Sequence, residues 1–271
     1  VTVRFSICNE MFEGWEFDRV CAAAAEAGYG GIEVAPFTLA AFANEVTSEQ
    51  RRRMRESASA AGVEIVGLHW LLAKTIGFHI NHPDKAVRDR TVDYMVDLTN
   101  LCADLGGEIM VFGSPKQRNV CEGLSYRQAW DHAVETFGRV VPLLEKRNVT
   151  LCLEPLSPAE TDFLNTANEA AGMVRRIGSH NVRLLLDVKA MSSESKPISD
   201  IIRAHGGILR HFHANDANMR GPGFGDTDFG PIASALKDID YAGWVSVEVF
   251  DFKPDPVTIA RKSIDYMKRV F

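Results

Sequence analysis

Thr150-Leu151-Cys152-Leu153-Glu154, the helical pattern Ala167–Ile177 and then Val182-Arg183-Leu184-Leu185-Leu186-Asp187 together decide how this chain folds. Side chains along a strand alternate between two faces. Leu151 and Leu153 therefore share one face, while Thr150, Cys152 and Glu154 share the other. In the second run Val182, Leu184 and Leu186 oppose Asp187. Two short apolar runs joined by an amphipathic helix read as a β/α/β unit, whose strands lie parallel. In each run the uniformly apolar face packs under the helices, and the opposite face ends in an acid.

The same pattern extends in both directions. Leu209–His213 sets Phe212 against His211 and His213, and Val245–Phe250 sets Val245, Val247 and Val249 against Ser246, Glu248 and Phe250. Upstream, Val3–Cys8, Gly31–Ala35, Val63–His69 and Ile109–Gly113 bring the strand count to eight. Helical periodicity falls between them at Phe17–Ala27, Ser48–Ala61, Ala86–Leu105 and Tyr126–Lys146, and after the last at Val257–Val270. Thr47 and Ser48 are N-cap candidates, and Gly28, Gly62, Gly106 and Gly178 stand where helices should stop. The expected class is α/β, a single (β/α)8 TIM barrel over residues 1–271 as one domain. A doubly wound open sheet would carry a glycine-rich phosphate turn after its first strand, and Cys8-Asn9-Glu10-Met11-Phe12 has none.

The composition fits a chain with a sizeable core: 46% of its 271 residues are hydrophobic and 24% charged, which excludes intrinsic disorder. A formal net charge of −6 offers no general attraction for nucleic acid or for an anionic membrane. No stretch is apolar for long enough to span a bilayer. Val1 to Glu10 alternates like a first strand rather than a signal peptide. The five cysteines are odd in number and lack C-x-x-C spacing, so neither a disulfide framework nor a cysteine zinc site is expected, and a reducing cytoplasm is the expected location.

Active sites of parallel barrels gather at the carboxyl ends of the strands. Strand parity points Glu154, Asp187, His213 and Glu248 inward at that end of four consecutive strands. Three carboxylates in one closed space repel unless positive charge lies between them. With one imidazole they form an oxygen and nitrogen donor set for one divalent metal: Mn2+, with Mg2+, Co2+ or Zn2+ as alternatives.

The runs Leu153-Glu154-Pro155-Leu156, Leu186-Asp187, His211-Phe212-His213 and Ser246-Val247-Glu248 resemble the xylose-isomerase-like barrel superfamily of sugar isomerases and epimerases. Their spacing is most similar to the D-tagatose/D-psicose 3-epimerases. The resemblance implies that Glu154 and Glu248 bind the metal and also act as the acid/base pair, with Asp187 and His213 as ligands. It implies a small carbohydrate substrate contacted by Glu160, and it implies a homodimer or homotetramer as the assembly. His69, inward at the end of strand three, is a further candidate for bonding a substrate oxygen.

Two positions depart from the epimerase pattern. Ala190 stands where the relatives carry a histidine, with Lys189 as the nearby polar candidate, and Arg220 comes one residue later than the family arginine. These departures leave room for a second function, a lyase or dehydratase acting on a keto sugar or keto-inositol. An endonuclease IV-like nuclease is disfavoured, because Ala190 and Asp228 stand where its additional histidines belong. Pro115-Lys116-Gln117-Arg118 is read as a solvated basic loop or an anion site, and Gly221-Pro222-Gly223-Phe224-Gly225 as part of a flexible loop within Asn215–Gly230.

Overall fold

Apolar segments of four to six residues are too short to bury themselves as helices, and eight of them pair instead as strands. In the computed structural model, which describes residues 3–271, these are β1 (Arg4–Cys8), β2 (Gly31–Val34), β3 (Glu64–Leu68), β4 (Ile109–Phe112), β5 (Thr150–Leu153), β6 (Val182–Asp187), β7 (Leu209–Ala214) and β8 (Trp244–Val247). Val1 and Thr2, at the start of the expected alternation, lie outside the described residues. Each strand pairs in parallel with the next, and β8 returns to β1 in the register Arg4 to Trp244 and Ile7 to Val247. The sheet closes into a barrel and leaves no edge unpaired.

The helices that cover the barrel are α1 (Phe17–Ala27), α2 (Ser48–Ala61), α3 (Lys85–Asp104), α4 (Tyr126–Arg147), α5 (Ala167–Ile177), α6 (Val188–Met191), α7 (Ile198–His205), α8 (Gly230–Asp238) and α9 (Pro256–Val270). Thr47 caps α2: its hydroxyl accepts from Gln50 N–H, and the Gln50 side chain accepts from Thr47 N–H. Gly28 ends α1 at φ 101°, a left-handed conformation that costs glycine nothing, so its N–H can bond back to Ala24 and Ala25. The helical periodicity in the sequence did not mark α6, α7 and α8. They run four, eight and nine residues, too short for a periodic stripe to stand out.

Two apolar regions result. One lies between sheet and helices. The other is a small plug inside the barrel made by Val66, Ile109, Val111, Cys152, Leu185 and Trp244, all buried. The Arg4 guanidinium lies 4.2 Å over the Trp244 ring. Cys152 thus points inward one layer below Glu154, as its parity requires, and all five cysteines are unpaired. No helix among the described residues is long and apolar enough to cross a membrane.

The plug supports the polar layer above it, and this generates a test. Cys152→Ala removes one buried sulfur from a close-packed group and should lower the unfolding free energy by about 1–2 kcal/mol in denaturant titration. An unchanged or raised stability would contradict the layered interior.

Candidate active site

Four side chains meet where the strands end. Asp187 is the last residue of β6 and His213 lies within β7, while Glu154 and Glu248 each follow the last residue of their strands. The ladder holds these two in place: Glu154 N–H donates to Phe112 O at 3.2 Å and Glu248 N–H to Ala214 O at 3.3 Å. One donor atom from each of the four lies within 4.8 Å of the others, and all four residues are buried. His213 Nδ1 stands 3.1 Å from Glu248 Oε2 and 3.9 Å from Glu154 Oε1. These are the four side chains that strand parity pointed inward at the strand ends.

The surroundings fix each member. Asp187 accepts at Oδ1 from Ala190 N–H, 2.7 Å, and at Oδ2 from the Asn215 amide. Glu248 Oε1 accepts from Trp70 Nε1–H at 2.6 Å and faces His69 Nδ1 at 3.4 Å. Trp70 has a φ of 52°, a strained value for a bulky residue, and lies next to His69 in the segment that brings both to Glu248. Glu154 differs from the other two acids: among the described residues its carboxylate accepts no hydrogen bond. Gly113 leaves it space, since a Cβ there would stand 1.8 Å from Glu154 Oε2.

Sequence reading missed Glu33. It sits on β2, fully buried, with Oε2 2.7 Å from His211 Nε2 and Oε1 3.2 Å from His213 Nε2. By accepting from Nε2 it leaves His213 Nδ1 turned toward the three carboxylates, the usual way a carboxylate fixes a ligating histidine. The available signal was an acid at inward parity in the otherwise apolar run Gly31–Ala35.

The basic-loop reading of Lys116 and Arg118 needs correction. Lys116 is exposed, but Arg118 is fully buried. It donates to the carbonyls of Glu154 at 2.6 Å, Phe112 at 2.7 Å and Ser114 at 3.2 Å, and lies over the Phe112 ring. Carbonyl groups occupy its donors, so it holds the backbone under Glu154 and offers no anion site.

The remaining candidates fall in two groups. Lys189, two residues after Asp187, donates from Nζ to Glu160 Oε1 at 2.7 Å and lies 4.0 Å over the ring of Phe250, two residues after Glu248. His69 is fully buried, with its ring nitrogens facing Glu248 and Glu10. Arg220 is not brought to the cluster: it donates to Lys253 O at 3.1 Å and stands 3.4 Å from Asp251 Oδ2. Its loop is organised by Asp216, which accepts from Thr227 Oγ1 at 2.8 Å and from Gly225 N–H at 2.9 Å.

Charge crowding shows in the protonation behaviour. Burial pushes the Glu154 carboxyl well above its usual range, and the charges of Glu248 and Asp187 push the same way. Burial and Glu248 raise Asp187 to about 6. Burial would raise Glu248 too, but the charges and hydrogen bonds of His213 and His69 outweigh it and hold that carboxyl well below its usual range. Burial alone would lower the pKa of His213, yet Glu248 and Glu33 raise it. Three acids and an imidazole that share too little positive charge are the donor set a divalent ion satisfies, so the residues fit such an ion.

This chain is similar to known proteins over nearly its whole length. A family description of xylose isomerase-like TIM barrels matches residues 21–270. D-psicose 3-epimerase of Agrobacterium fabrum is 29% identical over 236 residues, 83% of this chain and 76% of that protein. L-ribulose 3-epimerase of Mesorhizobium japonicum is 27% identical over 184 residues, 68% of this chain and 62% of that protein. The crystal structure of a D-psicose 3-epimerase obtained in the presence of D-fructose superposes with a TM-score of 0.88 at 23% identity, covering 99% of each chain.

A protonated imidazole and partly protonated acids must lose protons before they can ligate. Metal uptake at pH 7 should therefore release protons, read by calorimetry in buffers of different ionisation enthalpy. Apparent affinity should fall as the pH drops through about 6, where Asp187 gains its proton. An affinity constant between pH 5 and 7 would contradict the crowding argument.

Proposed function

The chain belongs to the xylose isomerase-like TIM-barrel family, and on that premise we propose that it is a divalent-metal-dependent epimerase or isomerase of a keto sugar or sugar derivative, with residues 1–271 as one catalytic domain. One observation carries the reading. Glu154 and Glu248, separated in the barrel by β6 and β7, reach the same buried cluster from different sides, with Asp187 and His213 completing it.

In this proposal Glu154, Asp187, His213 and Glu248 hold the ion, Mn2+ first among the candidates. When bound, the ion supplies the positive charge that favours an enediolate over the parent ketone. The protein's own groups then move the protons. One glutamate takes the proton from the carbon beside the carbonyl, and the other returns one from the opposite face (epimerisation) or to the adjacent carbon (isomerisation). The two glutamates are unequal. Glu248 accepts from Trp70 and faces two imidazoles, which keep it ionised and oriented as a base. Glu154, whose carboxylate accepts no hydrogen bond, would give up its proton on binding the ion and is the less constrained of the two bases.

Glu160 and Lys189 are assigned to the substrate hydroxyls, since their ion pair lies beside Phe250 at the rim of the cluster. His69 and Arg220, candidates for the same task, are engaged by Glu248 and Glu10 and by Lys253 and Asp251, so they reach substrate only if those contacts yield. Ala190, where the resemblance implies a histidine, with Lys189 beside it, leaves room for elimination as the second reading. Products separate the two, because elimination yields an unsaturated carbonyl that absorbs in the ultraviolet.

The reading is tested with a panel of keto sugars and the Mn2+-loaded enzyme in D2O, following exchange at the carbon beside the carbonyl. Glu248→Gln should lose at least ~1000-fold in turnover, about 4 kcal/mol of transition-state stabilisation, because an amide cannot take the proton. Asp187→Asn should fail through weak metal binding, and excess Mn2+ should restore much of it. If excess Mn2+ restores both variants equally, Glu248 is a ligand alone and the two-base scheme fails.

A further inference from the structure

A second polar cluster lies beside the first, and the proposed chemistry leaves most of it unused. Cys8 ends β1, Glu10 follows two residues later, and His69 follows β3. One donor atom from each of these and from Glu248 lies within 4.8 Å of the others. Cys8 is 1% exposed, His69 0% and Glu10 8%.

The hydrogen bonding is incomplete here. His69 Nδ1 stands 3.4 Å from Glu248 Oε1, so without metal the ring carries both protons between Glu248 and Glu10, and a metal ion would take the place of the Nε2 proton. Nε2 is 3.0 Å from Glu10 Oε2, yet neither atom has a hydrogen-bond partner, and neither does Glu10 Oε1. A buried carboxylate facing a ring nitrogen needs a positive charge between them, a proton or a metal ion, and Glu10 Oε1 still lacks a partner when that charge is the ring proton. Ligand atoms at 2.0–2.3 Å from a tetrahedral ion stand roughly 3.3–3.8 Å apart, and the donor atoms here lie within 4.8 Å of one another.

We propose that Cys8, Glu10 and His69 form a second divalent-metal site adjoining the Glu154, Asp187, His213 and Glu248 cluster. Glu248 serves both: it belongs to the first donor set and accepts from Nδ1–H of the histidine that ligates in the second, as carboxylates behind ligating histidines do. Sulfur and imidazole with one carboxylate select Zn2+ or Co2+ over the harder Mg2+ and Mn2+. Binding replaces the Cys8 thiol proton, which passes to solvent, and the thiolate becomes the ligand. Glu10 also lines a groove of about 870 Å3 together with Asn9, Phe12, Trp15, Phe37 and Lys74, so the cluster lies next to an open surface.

The test uses the full chain, freed of metal and titrated with Co2+, with bound metal counted by elemental analysis and thiolate-to-cobalt charge transfer read in the near ultraviolet. Two equivalents should bind, one of them producing the band. Cys8→Ser should abolish the band and leave one equivalent, and Glu10→Gln should weaken the band-forming equivalent at least tenfold. Asp187→Asn should lose the other equivalent and keep the band, so failure of this site and failure of the proposed active-site metal give different results. Thermal melts of each variant confirm folding, and Glu10→Gln carries the test if Cys8→Ser does not fold. One equivalent in the unsubstituted chain would mean that Glu10, His69 and Glu248 form a buried ion triad, and would overturn the proposal. A band that survives Cys8→Ser would overturn it as well.

Discussion

Repulsion among three carboxylates in one closed, water-poor space is the constraint around which the upper half of this barrel is built. Glu154, Asp187 and Glu248 cannot all be ionised at such separations without positive charge between or beside them. The protein meets the problem unevenly. Glu248 is given two imidazoles and an indole N–H, Asp187 a backbone N–H and an amide, and Glu154 only the more distant charges of His213 and Arg118. That asymmetry gives two chemically identical glutamates different surroundings and opposite pKa shifts.

Groups outside the cluster hold it in place. Glu33 holds His211 and His213 from below, so the imidazole that faces the acids is fixed in orientation by an acid on the far side of the barrel. Arg118 gathers three carbonyls of the β4 and β5 ends, which stiffens the backbone that carries Glu154. Beneath them the apolar plug around Cys152 and Trp244 excludes water, raising the strength of every charge interaction above it. The site is therefore as much a property of the barrel interior as of the four side chains at its mouth.

Much of this was legible along the chain because strand parity has a period of two and the apolar face is unambiguous in Leu151–Leu153, Val182–Leu186 and Val245–Val249. Reading inward from it placed Glu154, Asp187, His213 and Glu248 together, although more than ninety residues separate the first from the last. Arg118 shows where such reading stops. In sequence it is a cation in a loop beside Lys116, and only the folded chain reveals that carbonyls from two strands consume its donors.

What the sequence determined by itself is the alternation of strand and helix, the closed parallel architecture and the inward parity of Glu154, Asp187 and Glu248, because these follow from local periodicity and from the chemistry of one residue at a time. The tertiary structure alone decided which partner each polar group meets. Glu33 with two histidines, Trp70 with Glu248, Lys189 with Glu160, and Glu10 facing His69 without a hydrogen bond all join residues from different β/α units. A hydrogen bond depends on distances of a few tenths of an ångström and on direction. Those are set by barrel closure and strand register, which no single stretch of the chain contains.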